Sequence, residues 1–330
     1  MKIHRNYCEK IKLYTGIERY WIIENSGQVL QDIKEINARK GARNIANYDF
    51  STLYTKIPQT DLKEKLKAVV DKGFKGGQNQ FITLNKKSAR WGGDEVSKDT
   101  VNKEIIFNMI DTIIDNAFFT FGTRVYKQCI GIPMGIDPAP QMANLYLYCY
   151  EYNFMEKLTN ENYGVAKKFN YTRRFIDDLN TLNNDRKLEM HNAEGKIYPK
   201  EMVLNRENIN DEKGTFLDLS EEIIDNKIKI KLYDKREDYN FEIVNYPHLD
   251  SNIPGKIAYG VFTSQLIRYA RICTHKEDLI ACVKLLIYRL IKKKYTVEGL
   301  KKTTMKCMQQ HKWIQNTISY PEMINILKNN

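Results

Sequence analysis

The chain has 330 residues, 42% of them hydrophobic and 28% charged, so it can bury a core and is not a disordered polymer. Its longest apolar stretch, Leu279 to Ile291, is interrupted by Lys284 and Arg289, which indicates a core or amphipathic helix rather than a membrane span. The six cysteines form no C-x-x-C pair and support neither a disulfide framework nor a zinc site. No apolar run follows the N-terminal residues, so we expect an intracellular protein, nuclear or cytoplasmic, with no membrane partner.

The net charge of +11 is concentrated near the C-terminus. From Lys256 to Lys312 there are 13 Lys and Arg residues against 3 Asp and Glu, while the rest of the chain is close to neutral. Such an asymmetry is typical of a surface that binds a polyanion, most simply a nucleic-acid backbone. A solvated basic helix face explains the charge equally well, so charge alone leaves both interpretations open.

The N-terminal half predicts short β runs between helices. Apolar residues at every third or fourth position favour helices, and a glycine between aromatic runs favours a hairpin. The predicted elements are a strand over 44–50, a helix over 61–73, a loop or hairpin over 74–98, a helix over 101–114 and a hairpin over 118–130.

The C-terminal half predicts more helix. Asp137 and Pro138 indicate a helix start, a capping carboxylate followed by proline at the first helical position. The predicted elements are a helix from there to about Lys157, strands over 171–176 and 179–182 that meet at Asp177-Asp178, a hairpin over 216–233 that turns at Asp225-Asn226, and basic helices from Gly255 onward. The pattern is α+β to about residue 245 and all-α beyond it.

The first candidate for chemistry is the segment Phe175-Ile176-Asp177-Asp178. Side chains alternate along a strand, so Phe175 and Asp177 are expected on one face and Ile176 and Asp178 on the other. Two adjacent acids at a hairpin tip repel each other unless a cation lies between them and another ligand. A surface acid pair is the alternative, because the chain also contains Asp211-Glu212.

Two further segments have a functional and a structural interpretation. Asp49 follows a short apolar strand, which is where an α/β sheet presents ligands, but a helix-capping carboxylate fits as well. Residues 131–140 hold two glycines and three prolines, which give a tight, bare backbone that a flat base pair could approach. A purely structural loop is equally consistent with that composition.

The three segments taken together, in their order along the chain, are more specific than any one of them alone. Three segments resemble, in this order, motifs A, B and C of reverse transcriptases. They are Asp49 with Leu53-Tyr54, Gly-Ile-Pro-Met-Gly at 131–135 with Ala143-Asn144, and Phe-Ile-Asp-Asp at 175–178. Segments 48–58 and 131–144 are most similar to Penelope-like elements. The segment 216–219, Phe-Leu-Asp-Leu, resembles their primer-grip region, and 259–271 resembles their thumb. The resemblance covers about 20–306.

This resemblance implies the α+β fold of a right-hand polymerase, with a palm of antiparallel sheet backed by helices, partial fingers and a C-terminal helical thumb. The implied domains are partial fingers at 1–45, a palm at 46–245 with a fingers insertion around 74–130, and a helical basic thumb at 246–330. Only 48 residues precede Asp49, where relatives carry a longer region. A truncated copy, an excised domain and a minimal polymerase with fingers from a partner chain all stay open.

The implied activity is that of a retroelement-type RNA-directed DNA polymerase, a nucleotidyltransferase. It would use an RNA or DNA template with a primer, a dNTP, and two Mg²⁺ ions, with Mn²⁺ as a substitute. Asp49 and Asp177 would bridge the ions with the Phe50 carbonyl as a further ligand. Asp178 would be an auxiliary ligand, because strand alternation points it to the other face.

Other roles follow from matching positions. Tyr54 would be the sugar gate that disfavours a 2′ hydroxyl, and Gly135 and Met134, where most reverse transcriptases have Gln, would contact the incoming nucleotide. Lys200 is the candidate proton donor to pyrophosphate. The basic residues expected to track the primer–template phosphates are Arg268, Arg271, Lys292, Lys293 and Lys294.

Two other functions stay open. The first is another template-dependent polymerase, such as an RNA replicase, or a primer-independent terminal transferase; Tyr54 argues against ribonucleotide use. The second is a domesticated, inactive nucleic-acid-binding scaffold. The intact Asp49, Asp177 and Asp178 count against the scaffold, and the short N-terminal region counts for it.

Overall fold

A computed structural model describes residues 1–39, 41–75, 80–85, 88–92, 99–241, 243 and 245–329. None of the helices in these ranges is both long enough and apolar enough to span a bilayer. Contacts divide the chain into two units, which are described separately. The first unit comprises Met1–Asn25 and Asn44–Ile209, and the second comprises Ser26–Arg43 and Asn210–Asn330.

Helices occur along the whole of the described chain. They are α1 (Lys2–Thr15), α2 (Gly27–Arg39), α3 (Gln59–Lys75), α4 (Lys103–Asp115), α5 (Ala139–Glu161), α6 (Tyr163–Ala166), α7 (Lys187–Ala193), α8 (Gly255–Ile272), α9 (Lys276–Lys292), α10 (Val297–Gln310) and α11 (Tyr320–Lys328).

Strands lie between α2 and α8. They are β1 (Ile45–Phe50), β2 (Ile82–Asn85), β3 (Ser88–Trp91), β4 (Thr100–Val101), β5 (Phe118–Phe121), β6 (Arg124–Lys127), β7 (Thr172–Phe175), β8 (Asp178–Leu182), β9 (Leu204–Arg206), β10 (Lys213–Phe216), β11 (Leu219–Ile224) and β12 (Lys227–Leu232).

The main sheet of the first unit has the strand order β7-β8-β1-β9, with every neighbouring pair antiparallel. Ala46, Tyr48 and Phe50 of β1 belong to the buried core, together with Leu179 of β8, which lies opposite Tyr48. Because strand side chains alternate, the residues between them, including Asp49, point to the other face of the sheet.

Helix α5 crosses the core of this unit and is buried from Ala139 to Leu158. A helix that is buried on most sides shows no clear amphipathic pattern, which explains its mixed apolar and aromatic sequence. The rest of the unit contains a three-stranded sheet, β3-β2-β4, and a separate two-stranded hairpin, β5-β6.

The second unit joins a three-stranded antiparallel sheet, β10-β11-β12, to helices α2 and α8–α11. Asp225 and Asn226 connect β11 to β12 with φ angles of 50° and 58°, the two positive values of a type I′ turn. The Asn37 side chain of α2 bonds both the N–H of Ile228, at 2.8 Å, and its carbonyl, at 3.0 Å. Phe262, Leu286 and other apolar side chains of α8–α11 form a separate core.

The predicted α+β architecture with antiparallel sheets is confirmed, and most element predictions were right to within a few residues. Residues 76–79, 86–87 and 93–98 of the stretch predicted as loop or hairpin lie outside the described residues, and β2 and β3 within it pair antiparallel. Helix α3 continues through Gly73 to Lys75. The capping prediction was wrong: α5 begins at Ala139, and its N-cap is Pro138, with no side-chain cap.

Candidate active site

Two aspartates lie opposite each other on the two central strands of the main sheet. Asp49 of β1 lies directly opposite Asp178 of β8, and the row continues to Phe175 on β7 and Asn205 on β9. Directly opposite residues have Cα atoms roughly 4.5–5.5 Å apart and place their side chains on the same face. Both aspartates are half-buried, so two carboxylates share an accessible face at the end of the sheet.

The third aspartate lies in the turn between β7 and β8. Phe175 pairs with Asp178, which leaves Ile176 and Asp177 as a two-residue hairpin loop. The backbone N–H of Phe50 donates to the carbonyl oxygen of Asp177 at 3.3 Å. Asp177 therefore lies beside the end of β1, next to the Asp49 and Asp178 pair.

This arrangement corrects the predicted faces of the acid pair. We expected two strands that meet at Asp177-Asp178, with side-chain alternation continuing through Asp178 and pointing it away from Asp177. Because Ile176 and Asp177 form the turn, alternation does not apply across them, and Asp178 shares a face with Asp49. Strand alternation was therefore a wrong reason for giving Asp178 only an auxiliary role. The metal-binding roles of the three aspartates stay predictions.

The turn has an unusual backbone for its sequence. Ile176 has a φ of 57°, which a β-branched side chain rarely adopts. A two-residue hairpin with a positive φ at its first residue is the type II′ pattern, for which glycine is preferred. Such a conformation costs about 1–3 kcal/mol and persists only where the surroundings hold it.

A buried arginine holds this turn. The Arg174 guanidinium is completely buried and donates to the Ile176 carbonyl oxygen at 2.8 Å. It also donates twice to the Glu151 carboxylate on α5, at 2.5 and 3.1 Å, and at 2.7 Å to the side-chain oxygen of Asn144. The turn that carries Asp177 is thereby fixed to the helix that follows the 131–135 loop.

The same network extends to the region before β9. The Tyr198 hydroxyl donates to Glu151 at 2.9 Å, and its ring packs edge-on against Phe50 at 4.8 Å. Burial alone would lower the pKa of Arg174, but the adjacent Glu151 carboxylate raises it above its ordinary value. Burial and then Glu151 raise the pKa of Tyr198, so the tyrosine stays a neutral donor.

Tyr54 lies close to Asp177 and next to the 131–135 loop. Partial burial, and then the Asp177 carboxylate, raise the pKa of its hydroxyl. Its backbone carbonyl accepts from the N–H of Ile132 at 2.9 Å. Gly131 has a φ of 81°, and a Cβ added there would lie 2.2 Å from that carbonyl oxygen, so no other residue fits this close approach.

The tip of the loop is open. Met134 is 70% exposed, and Gly135 has a φ of 93° with nothing within 4 Å of an added Cβ. Lys200 is also exposed, and the carbonyl of its neighbour Glu201 accepts from the Thr52 hydroxyl at 3.2 Å. The first unit therefore places Tyr54 close to Asp177, and it ties the neighbour of Lys200 to the segment that follows Asp49.

The predicted thumb residues belong to the second unit. Arg268 on α8 forms an ion pair with Asp218 at 2.9 Å. Arg271 lies over the Trp313 ring at 5.7 Å, and Lys292 lies over Tyr288 at 4.6 Å. Lys293 and Lys294 directly follow α9.

Sequence reasoning missed Arg174, Glu151 and Tyr198. A signal was available for Glu151, because it interrupts a helix whose other residues are mostly apolar or aromatic. A charge in such a segment is rarely buried unless it is paired. The pattern could not tell which acid pairs with which base.

The donor set suits a hard cation. Mg²⁺ prefers oxygen ligands and usually keeps water or substrate phosphate oxygens in its shell. Asp49, Asp178 and Asp177 supply carboxylates, and the Phe50 carbonyl oxygen accepts a long bond of 3.5 Å from the N–H of Leu53. Over the described ranges, however, no three His, Cys, Asp or Glu residues are close enough together to hold a metal ion by themselves.

Comparisons with known proteins give a match only at the level of structure. No family model and no curated protein matches the sequence. A telomerase from Candida albicans, solved in complex with a TWJ fragment of telomeric RNA, matches with a TM-score of 0.65 and 12% identity, over 96% of this chain and 54% of that one. An apo telomerase from Candida tropicalis matches with a TM-score of 0.49 and 11% identity, over 98% and 55%.

This chain thus spans about half the length of the telomerases that it matches. The Candida albicans match shows a shared fold and no more, because its sequence identity is low. Telomerase is a member of the reverse transcriptase family. The fold of this chain is therefore similar to that of the Candida albicans telomerase.

Proposed function

We propose that this chain is the core of an RNA-directed DNA polymerase of the Penelope-like type. The observation that carries the proposal is the pairing of Asp49 with Asp178 on the accessible face of the sheet, with Asp177 in the adjoining turn. The telomerase fold supports the polymerase class. The sequences at 48–58 and 131–144 support the Penelope-like type.

Asp49, Asp177 and Asp178 would hold two Mg²⁺ or Mn²⁺ ions, with the Phe50 carbonyl oxygen as a further ligand. When bound, such ions activate the primer 3′ hydroxyl and stabilise the pyrophosphate that leaves. The chain's own part is to keep the carboxylates in register. The β1–β8 pairing holds Asp49 and Asp178, and the bond from Arg174 to Ile176 holds the turn that carries Asp177.

Tyr54 would lie beneath the sugar of the incoming dNTP and clash with a 2′ hydroxyl. The close contact between Gly131 and the Tyr54 carbonyl supports this role, because it fixes the exposed Met134-Gly135 tip relative to Tyr54. Lys200 is exposed beside Glu201 and would donate a proton to pyrophosphate.

The nucleic-acid partner would be a primed RNA or DNA template. The Candida albicans telomerase was solved with RNA, which supports RNA as a template class. The residues proposed to contact backbone phosphates are Arg268, Arg271, Lys292, Lys293 and Lys294, which lie on α8 or at the end of α9. Arg268 would first have to exchange its bond to Asp218 for a phosphate.

The test is primer extension on RNA and DNA templates with Mg²⁺ or Mn²⁺. Asp177→Asn/Asp178→Asn should abolish incorporation while duplex binding is kept. Asp225→Asn is the matched control, because Asp225 is exposed in a turn of the second unit and asparagine tolerates its positive φ. Incorporation that survives in Asp177→Asn/Asp178→Asn contradicts the proposal.

The same assay separates the alternatives. Preferred incorporation of ribonucleotides would indicate an RNA replicase, and extension without a template would indicate a terminal transferase. Duplex binding by the unmodified chain without any incorporation would indicate the inactive scaffold.

A further inference from the structure

The hairpin β5-β6 exposes all eight of its strand residues. Its two-residue turn is Gly122-Thr123, with a φ of 63° at Gly122 and nothing within 4 Å of an added Cβ. Glycine is therefore needed there for the turn and not for space. We call 118–127 the aromatic hairpin. A two-stranded hairpin has little stability of its own, so aromatic side chains exposed on it call for a functional explanation.

One face of the aromatic hairpin carries three aromatic rings and a guanidinium. Phe119 lies opposite Tyr126, and Phe121 lies opposite Arg124, so these four side chains share a face. Phe119 and Tyr126 stack with ring centroids 5.6 Å apart and planes 20° apart. Phe119 is 52% exposed and Phe121 77%, so their rings are open to a ligand.

The charged side chains in and around the aromatic hairpin are all basic. From 116 to 136 the sequence contains no Asp or Glu, and Arg124 and Lys127 are exposed. The acid just before the segment, Asp115, is already held by Lys63 at 2.7 Å. Exposed rings interleaved with cations and without acids fit a ligand that has flat π-faces and negative charge.

The base of the aromatic hairpin is fixed next to the candidate active site. The N–H of Gln128 donates to the Ala117 carbonyl at 2.9 Å, and the Gln59 side chain donates to the Gln128 carbonyl at 3.1 Å. Lys127 and Gly131 are only four residues apart, at most about 14 Å of extended chain. A ligand on the hairpin would be held near the loop that contacts Tyr54.

We propose that the aromatic hairpin is a stacking platform for an unpaired segment of nucleic acid. Bases stack on Phe119, Phe121 and Tyr126, and Arg124, which shares their face, contacts the phosphates. Every base has a π-face, so the platform binds without sequence preference. The inference rests on the proposed function for one detail, namely that the unpaired strand in the cell is the template.

The test measures binding of fluorescein-labelled single-stranded oligo(dT) to the full chain by fluorescence anisotropy, with a blunt duplex as comparison. Phe119→Ala should weaken oligo(dT) binding about 5- to 100-fold, since one stacked base is lost. Phe118→Ala is the matched control on the opposite face and should change binding less than about twofold. Duplex affinity should stay unchanged in both variants.

Two further measurements guard against misfolding and against a different ligand. Phe119→Trp keeps an aromatic ring, and its fluorescence should be quenched when oligo(dT) binds. Arg124→Gln should reduce the dependence of log Kd on log salt by roughly 0.7, the value for one single-strand phosphate contact.

Equal loss of oligo(dT) affinity in Phe118→Ala and Phe119→Ala, or no loss in either, overturns the inference. So does self-association of the chain that Phe119→Ala abolishes, since that would make the hairpin a protein-docking surface. The proposed function fails separately: a chain without incorporation that keeps Phe119-dependent oligo(dT) binding refutes the polymerase and leaves the platform standing.

Discussion

The guanidinium of Arg174 and the carboxylate of Glu151, 23 residues apart in sequence, form an ion pair in which both side chains are completely buried. The same guanidinium bonds the carbonyl of Ile176, so one arginine links α5 to the turn that carries Asp177. Removing either charge leaves the other buried without its partner, which is far more damaging than removing both.

We therefore expect Arg174→Met to lower the free energy of unfolding by about 3–5 kcal/mol, and Glu151→Met by a similar amount. The double variant Arg174→Met/Glu151→Met should lose clearly less than the sum. Urea unfolding followed by circular dichroism measures each value. Arg39→Met is the control, because Arg39 pairs with Glu35 on the exposed side of α2; there the loss should be below about 1 kcal/mol. Strict additivity at Arg174 and Glu151 would show that the two do not act as a pair.

The positive φ of Ile176 gives a second expectation. Glycine at this position relieves backbone strain of about 1–3 kcal/mol, which offsets the loss of a half-buried side chain and the higher entropy of glycine in the unfolded chain. Ile176→Gly should change the free energy of unfolding by about 1 kcal/mol or less. Ile45→Gly, at a completely buried strand position, should lose about 4 kcal/mol or more. Similar losses in both variants would mean that the turn is unstrained.

Two glycines of one loop should differ sharply in their tolerance of alanine. Gly131→Ala places a methyl group 2.2 Å from the Tyr54 carbonyl and should destabilise by more than about 3 kcal/mol. Gly135→Ala meets open space and suffers only from its positive φ, so about 1–2 kcal/mol is expected. Thermal unfolding of the two variants measures the difference between their losses of stability. Equal losses would show that the loop can move away from Tyr54.

Asp234 in the second unit gives a pH dependence. Burial would raise the pKa of its carboxyl, but hydrogen bonds from Arg236 and Arg289 outweigh burial and lower it to about 2. A folded-state pKa below the unfolded value means that the contribution to stability is complete above about pH 4 and is lost as the pH falls towards 2.

Unfolding free energies should therefore fall more steeply between pH 4 and pH 2 in the unmodified chain than in Asp234→Asn, as measured by urea titration at each pH. The unfolding free energies of the two proteins should change in parallel between pH 5 and pH 7. Asp250→Asn is an exposed control and should follow the unmodified chain throughout. Equal slopes for Asp234→Asn and the unmodified chain below pH 4 would rule out this role.

Much of the fold could be predicted because its signals are local. The helical spacing from Val101 to Ile114 and the alternation in 44–50 are periodic, and periodicity reports which side of an element is buried. The turn at Asp225-Asn226 was also visible, since asparagine and aspartate tolerate the positive φ that a type I′ turn demands.

The turn at Ile176-Asp177 was predicted one residue too late, at Asp177-Asp178, for the same physical reason. A β-branched residue disfavours a positive φ, so local rules continued the strand through Ile176. The bond from Arg174 to the Ile176 carbonyl overrules that preference here, and Arg174 is itself held by the distant Glu151 on α5. Phe216-Leu217-Asp218-Leu219 also has a positive φ in its turn: Leu217 has a φ of 54°, and the distant Arg268 holds the Asp218 that follows it. No local pattern reveals such long-range ion pairs.

The register of β1 against β8 also bears on how such a chain can change over time. Shifting β1 by one residue against β8 would move Tyr48 out of the apolar core and turn Asp49 into it, so the apolar core alone favours the observed alignment. Exchanging the acids for amides would leave that preference untouched. Descendants with amides at these two positions would therefore keep the same fold, and their structures alone would not distinguish them from this chain.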